Sequence, residues 1–167
     1  AILSVASLVP VKGHATLLEA FARVAAAHPG ALLHLAGDGP GRDAIHAVAE
    51  RLGVAGRLRL HGEVRHDALP ALYRGADLVA VPSLFESQCL AALEAAACGT
   101  PVAGSAVGIL PEIVPPERLA SPGDATSLAA AIEAGLAPGA RERALRSTLA
   151  PGLALAGSVA RWRGLHA

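Results

Sequence analysis

Short apolar runs alternate with amphipathic segments along the chain. The segments between the runs carry apolar residues at helical spacing, as over residues 14–28, where Leu17, Phe21 and Val24 share one face. The run at 77–81 is apolar over its last four residues, which is typical of a strand buried on both faces. The pattern predicts strands over residues 2–6, 31–36, 57–61, 77–81, 101–104 and 118–120.

Glycine, proline and aspartate residues mark the ends of the helices between these strands. Gly53 and Gly99 are predicted helix stops, because glycine adopts the left-handed conformation that closes a helix. Asp67 and Asp124 are predicted N-caps, since their carboxylates can accept hydrogen bonds from the first free amides. The predicted helices are residues 14–28, 40–52, 67–73, 87–98, 108–114 and 124–136.

This order of elements predicts an α/β fold with a doubly wound, Rossmann-like parallel sheet. Strand and helix alternate at a spacing that favours right-handed crossovers, with helices on both faces of the sheet. Ligands of such sheets bind beyond the carboxyl ends of the strands. The loops of interest are residues 7–13, 37–41, 62–66, 82–88 and 104–108.

Composition excludes several classes of protein. Hydrophobic residues make up 53% of the 167 residues, the formal net charge is zero and aromatic residues are only 2%. A disordered chain, a basic nucleic-acid surface and a base-stacking module are therefore not expected. No run is long and unbroken enough for a membrane span. The start of the chain has neither an initiator Met nor a signal-peptide pattern, so we expect a cytoplasmic piece of a longer protein.

Neither the cysteines nor the histidines suggest a cross-link or a metal site. Cys89 and Cys98, if both lie on one helix, are roughly 13 Å apart along its axis, too far for a disulfide. We expect two buried thiols. The seven histidines are scattered without ligand spacing, so no metal ion is expected.

Lys12 is the only lysine among 14 basic residues, and it lies in the loop after the first predicted strand. With Gly13 at the start of a helix, its ammonium would sit beside free amides, an arrangement suited to phosphate oxygens. The alternative is an ordinary surface lysine.

The glycine-rich stretch at 37–41 also lies between a strand and a helix. It suggests a dinucleotide fingerprint, but Arg42 stands where the third glycine belongs, and the stretch follows the second strand. A tight turn is the expected structure.

Two glutamates carry the strongest indication of chemistry. Glu86 follows the most buried strand, and Glu94 lies two turns into the next predicted helix, where Leu90, Ala91, Ala97 and Cys98 are its helical neighbours. A carboxylate in such surroundings can accept two hydrogen bonds from a sugar diol. The alternatives are a solvated helix residue for Glu94 and a loop charge for Glu86.

These motifs, taken in order, resemble the donor-binding, C-terminal domain of retaining glycosyltransferases of the group 1 family, which have the GT-B fold. The resemblance covers residues 1–137, whereas residues 138–167 are only loosely similar and are expected to form a C-terminal helical extension. The motifs are Lys12-Gly13, residues 37–40 and 72–77, Pro82-Ser83, two glutamates seven residues apart, and residues 97–102 and 107–114.

The resemblance implies a role for each candidate residue. Lys12 would neutralise the diphosphate leaving group, and Glu86 would face the donor sugar. Glu94 would hold the ribose hydroxyls of the nucleotide. The amides of Gln88, Cys89 and Leu90 would help to hold phosphate and sugar, while Gly62, Glu63 and Val64 would flank the base. No metal ion or other cofactor is implied.

Two departures from the family pattern concern the same site. Ser7 stands where the family usually has an arginine, so this position supplies one neutral hydrogen bond and no charge. Ser87-Gln88-Cys89 replaces a frequent Gly-Phe-Gly. Both changes affect the expected geometry around phosphate and sugar.

We therefore expect one half of a GT-B transferase that binds a nucleoside-diphosphate sugar and transfers its sugar to an acceptor of unknown nature. The acceptor half is expected in the missing N-terminal part, as is any association with a membrane. The piece alone is expected to be inactive. Three alternatives stay open: a non-catalytic scaffold module, a nicotinamide-dependent dehydrogenase domain and a nucleotide-sugar epimerase of the same fold.

Overall fold

A computed structural model of the protein describes residues 1–140. The helical extension predicted over residues 138–167 lies outside the described residues, apart from its first three positions. Within the described part, no helix is long and apolar enough to cross a membrane.

Six strands form one sheet in the order β3-β2-β1-β4-β5-β6, and every neighbouring pair is parallel. The order places β1 and β4 side by side at the centre, with the chain winding outward in both directions. The predicted doubly wound parallel sheet is therefore confirmed. The strands are β1 (Ile2–Val5), β2 (Leu33–Ala36), β3 (Leu58–Gly62), β4 (Leu78–Val81), β5 (Val102–Ser105) and β6 (Leu119–Ala120).

Helices cover both faces of the sheet. Neighbouring strand residues point to opposite faces, so Ile2 joins one buried apolar cluster with α1, α2 and α6, while Leu3 joins the other with α3, α4 and α5. This two-sided burial explains why the central strands are apolar throughout. The helices are α1 (His14–Ala27), α2 (Arg42–Arg51), α3 (Leu69–Gly75), α4 (Leu90–Ala97), α5 (Leu110–Ile113) and α6 (Ala125–Leu136).

The two predicted aspartate caps have different outcomes. Asp124 caps α6 as predicted, because its carboxylate accepts hydrogen bonds from the amides of Thr126 and Ser127. The cap predicted for Asp67 is wrong: its carboxylate accepts from the guanidinium of Arg65, and α3 begins without a side-chain cap. A charged donor two residues away offers Asp67 a stronger partner than a helix amide.

Helix α4 begins at Leu90, three residues later than predicted. Cys89 has a φ of 48°, in the left-handed region, which is incompatible with helical continuation toward Ser87. The two cysteines consequently flank α4 rather than lying within it. Both are free thiols, Cys89 buried and Cys98 half-buried.

The glycine-rich stretch at 37–41 forms the predicted tight turn. Gly37 has a φ of 139°, and a Cβ atom on it would lie 2.0 Å from the carbonyl oxygen of Ala6. Leu8 donates its amide to Asp38 O at 2.9 Å, and Gly41 donates to Leu8 O at 2.8 Å. The stretch therefore supports the loop after β1.

Candidate functional site

The loops after β1 and β4 meet at the carboxyl edge of the sheet, because these two strands are neighbours from which the chain winds in opposite directions. A cleft of about 400 Å³ lies between them. Six of the predicted site residues line it: Ser7, Lys12, Glu86, Gln88, Cys89 and Leu90.

Lys12 and Glu86 form an ion pair inside this cleft. The Lys12 Nζ atom donates to Glu86 Oε1 at 2.6 Å, although the residues are 74 positions apart. Ser83 donates its hydroxyl to the same oxygen at 2.8 Å. Both charged side chains are largely buried, with 25% and 13% of their surfaces exposed. A charge-assisted bond in such surroundings holds both groups in a defined position.

A close approach of two loops makes this ion pair possible. Gly13, at the start of α1, has a φ of 68°, and a Cβ atom there would lie 2.0 Å from the carbonyl oxygen of Pro82. Leu84 donates its amide to Val11 O at 2.8 Å, which joins the same two loops. The backbone beside Lys12 and the backbone before Glu86 are thus in contact.

The residues that line the cleft include the start of α4. The first amide of the helix is that of Leu90, so the amides of Gln88 and Cys89 belong to the bend before it rather than to the helix predicted to begin at Ser87. Burial raises the pKa of the Cys89 thiol. This thiol is consequently a weak nucleophile near neutral pH.

Glu94 does not line the cleft. It lies one helical turn beyond Leu90 on α4, where its Oε2 atom accepts a hydrogen bond from the Tyr73 hydroxyl at 2.8 Å. Its other oxygen lies 3.9 Å from His66 Nδ1. Glu94 is therefore separated from the Lys12 cleft by about one turn of α4, whose residues Leu90 and Ala91 line that cleft.

Val64 is also outside the cleft. Its side chain is half-buried and packs against the apolar cluster that contains Tyr73 and Leu69. Its place in the loop after β3 keeps it at the carboxyl edge of the sheet. Ser7, by contrast, lines the cleft and is exposed. No arginine lines the described cleft, so Lys12 is its only side-chain cation.

Two residues of the site were not among the predicted site residues. Ser83 donates to Glu86, and Tyr73 donates to Glu94. Both belong to motifs used to identify the family resemblance, but no spacing rule connects either residue with its glutamate.

Comparison with known proteins decides the family. The family described as Glycosyl transferases group 1 matches residues 1–147. The chain belongs to this family. Its sheet and helices are the Rossmann-like half of a GT-B glycosyltransferase, and family membership rejects the dehydrogenase alternative.

Proteins from several bacteria are similar to this chain in sequence or structure. The D-inositol 3-phosphate glycosyltransferase of Segniliparus rotundus is 47% identical over 109 residues, which cover 63% of this chain and 24% of that protein. Sucrose-phosphate synthase from Thermosynechococcus elongatus is 31% identical with a TM-score of 0.74, covering 99% of this chain and 46% of that one. Anabaena HepE in complex with UDP-glucose is 27% identical with a TM-score of 0.72, covering 87% and 44%. The chain thus spans between 24% and 46% of the length of these relatives.

Proposed function

We propose that this chain is the donor-binding domain of a retaining glycosyltransferase and binds a nucleoside-diphosphate sugar at the carboxyl edge of its sheet. The observation that carries the proposal is the meeting of Lys12, Glu86 and the start of α4 in one cleft. The similar HepE protein is described in complex with UDP-glucose, a compound of the proposed class.

The diphosphate is assigned to Lys12 and to the first amides of α4. A compact ammonium and the positive end of a helix both stabilise phosphate oxygens. Glu86 holds the Lys12 ammonium at 2.6 Å, so a bound diphosphate competes with this carboxylate for the same cation. Ser7, which lines the same cleft as Lys12, contributes a hydroxyl.

Glu86 is assigned to the donor sugar. Breaking the bond between sugar and diphosphate places negative charge on phosphate and positive charge on the sugar ring. Preorganised donors aimed at the phosphate are worth on the order of 3 kcal/mol each. In the retaining reaction we propose, the acceptor attacks from the face that the leaving group departs from, and the departing phosphate takes the acceptor's proton. No protein nucleophile is then required.

Glu94 is assigned to the ribose. Its carboxylate is 31% exposed and lies about one turn further along α4 than the residues that line the cleft. We expect a nucleoside attached to the diphosphate to extend toward it. Gly62, Glu63 and Val64, in the loop after β3, are assigned to the base.

The acceptor is assigned to a further domain that this chain does not contain. The relatives are longer than this chain, which spans 24% of the Segniliparus protein. We therefore expect the chain to bind donor nucleotide and to transfer no sugar by itself.

No divalent cation is expected to be needed for nucleotide binding. The Lys12 ammonium and the α4 amides supply positive charge where a metal ion would otherwise neutralise the diphosphate. Nucleotide affinity should then be the same with EDTA as with magnesium chloride.

Calorimetric titration with UDP, GDP and ADP tests the proposal. At least one of them should bind, and Lys12→Ala and Glu94→Ala should each weaken its binding about tenfold, since each removes a hydrogen bond to a charged group. Arg23→Ala and Glu19→Ala, which remove exposed charges on α1, serve as matched controls.

Equal affinity in the wild type and in both site variants would reject these assignments. A separate variant tests the alternative of a non-catalytic scaffold module. Ser7→Arg restores the cation that the family usually has at this position. If that variant gains no affinity for a nucleoside diphosphate, a non-catalytic module is favoured.

A further inference from the structure

Tyr73 lies between the core of the domain and the proposed ribose carboxylate. Its side chain is 1% exposed, and its hydroxyl donates to Glu94 Oε2 at 2.8 Å. Burial, followed by the bond to Glu94, raises the pKa of Tyr73 well above its usual range. The hydroxyl therefore remains a hydrogen-bond donor throughout the physiological pH range.

The position of the Tyr73 hydroxyl is itself defined by the fold. The ring belongs to the apolar cluster that α3 and α4 bury against the sheet. Buried Thr100 donates its hydroxyl to the Tyr73 carbonyl at 2.6 Å, which connects α3 with the chain entering β5. Neither end of this residue can move without disturbing the core.

Glu94, in contrast, has few other constraints on its side chain. Of its helical neighbours, Leu90, Ala91 and Ala97 carry no side-chain hydrogen-bond donor. The fourth neighbour, Cys98, carries only a weakly donating thiol. His66 is 3.9 Å from Oε1, is 85% exposed and lies beyond hydrogen-bond distance. A long side chain such as that of glutamate loses rotamer freedom when it is fixed, and this loss opposes ligand binding. The Tyr73 hydrogen bond fixes this side chain before any ligand arrives.

We propose that Tyr73 is a positioning residue that holds Glu94 with Oε1 directed outward, so that the carboxylate binds both hydroxyls of a ribose. This inference rests on the proposed function of Glu94. An ionised carboxylate has about four acceptor positions, and Tyr73 occupies one of them. The remaining positions are enough for two adjacent hydroxyl groups.

Tyr73→Phe tests the proposal, because it keeps the ring and removes the hydroxyl. The full chain is titrated with UDP, GDP and ADP and with the 2′,3′-dideoxy form of each. Affinity for the ribonucleotide should fall about fivefold to tenfold, whereas affinity for the dideoxy form should stay unchanged, since preorganisation of Glu94 matters only to the diol. In a Glu94→Ala background, Tyr73→Phe should have no further effect.

The control is Ser127→Ala, which removes a half-buried hydroxyl on α6, on the other face of the sheet from α4, and should affect neither ligand. Equal losses for ribonucleotide and dideoxynucleotide would show a packing defect and overturn the inference. So would unchanged ribonucleotide affinity in Tyr73→Phe when Glu94→Ala weakens binding. If Glu94→Ala itself changes nothing, the proposed function fails as well.

A second measurement does not depend on the folding of the variant. Tyr73 is the only tyrosine, so labelling with 3-fluorotyrosine gives a single fluorine resonance. Ribonucleotide binding should shift this resonance, because the ribose hydroxyls draw charge from the carboxylate that Tyr73 contacts. The dideoxy form should leave it in place, and the same spectrum with both ligands would contradict the proposal.

Discussion

Glu86 sets the charge balance of the cleft, because its carboxylate holds the only cationic side chain among the described cleft residues. At the scale of single residues, the ion pair between Lys12 and Glu86 affects the affinity for a bound anion. A bound nucleoside diphosphate needs the Lys12 ammonium, and it also lies near the negative charge of Glu86.

Replacing Glu86 by Gln should therefore strengthen the binding of a nucleoside diphosphate that carries no sugar. The expected gain is about threefold to tenfold, the equivalent of about 1 kcal/mol, because a carboxylate that both competes for the cation and repels the anion is neutralised. Calorimetry with UDP, GDP and ADP measures the change. Glu112→Gln, an exposed glutamate outside the cleft lining, is the matched control. Weaker or unchanged binding in Glu86→Gln would contradict this account of the pair.

At the scale of elements, the contact between the loops after β1 and β4 depends on Gly13. Its backbone is left-handed, and a Cβ atom there would lie 2.0 Å from Pro82 O, so the contact leaves no room for a side chain. Gly30, between α1 and β2, offers a comparison, because a Cβ there would meet nothing within 4 Å.

Gly13→Ala should lower the free energy of unfolding by about 2 kcal/mol or more, through left-handed strain and through displacement of the Pro82 backbone. Separation of the loops should also move Lys12 away from the start of α4, so that the two groups assigned to the diphosphate no longer act together and nucleotide binding weakens. Urea unfolding of Gly13→Ala beside Gly30→Ala measures the effect, and the latter should differ little from the wild type. Equal stability of the two variants would show that the loops do not need this close approach.

The same elements show which helix and strand boundaries the local sequence pattern can predict. The apolar runs predicted all six strands, and most boundaries agree within a few residues because burial on both faces leaves a strong pattern. The start of α4 was placed too early, since Ser87, Gln88 and Cys89 carry no helix-breaking residue type. Cys89 nevertheless has a left-handed backbone, with its side chain buried beside α4. This conformation is uncommon for its residue type, so local pattern could not predict it.

At the scale of the whole molecule, the buried His14 connects stability with pH. Its side chain is 4% exposed, and burial, together with the nearby Lys12 ammonium, lowers its pKa to about 4. In the unfolded chain the same imidazole titrates near its usual pKa of about 6.5. Between these values the unfolded state binds the proton more readily than the folded state does.

Stability should therefore fall as the pH decreases from about 6.5 to about 4, by up to about 1 kcal/mol per pH unit from this group. The contribution is fully present above the unfolded pKa and is lost by the time the pH reaches the folded pKa. Urea unfolding of the wild type and of His14→Gln between pH 7.5 and 4 should give curves that converge on acidification. His46→Gln, an exposed histidine on α2, should keep the wild-type slope. Parallel curves for wild type and His14→Gln would refute this assignment.

The sequence by itself determined the parallel sheet, its two helical layers and the family, because these follow from apolar periodicity and from motifs within a few residues of each other. It also placed Lys12 and Glu86 in loops that follow strands, at the carboxyl edge of the sheet. Only the tertiary structure decided that Lys12 binds Glu86, 74 positions away, and that Tyr73, 21 positions before Glu94, holds that carboxylate. Such contacts depend on strand order and on how closely two loops approach, and neither is encoded in local spacing.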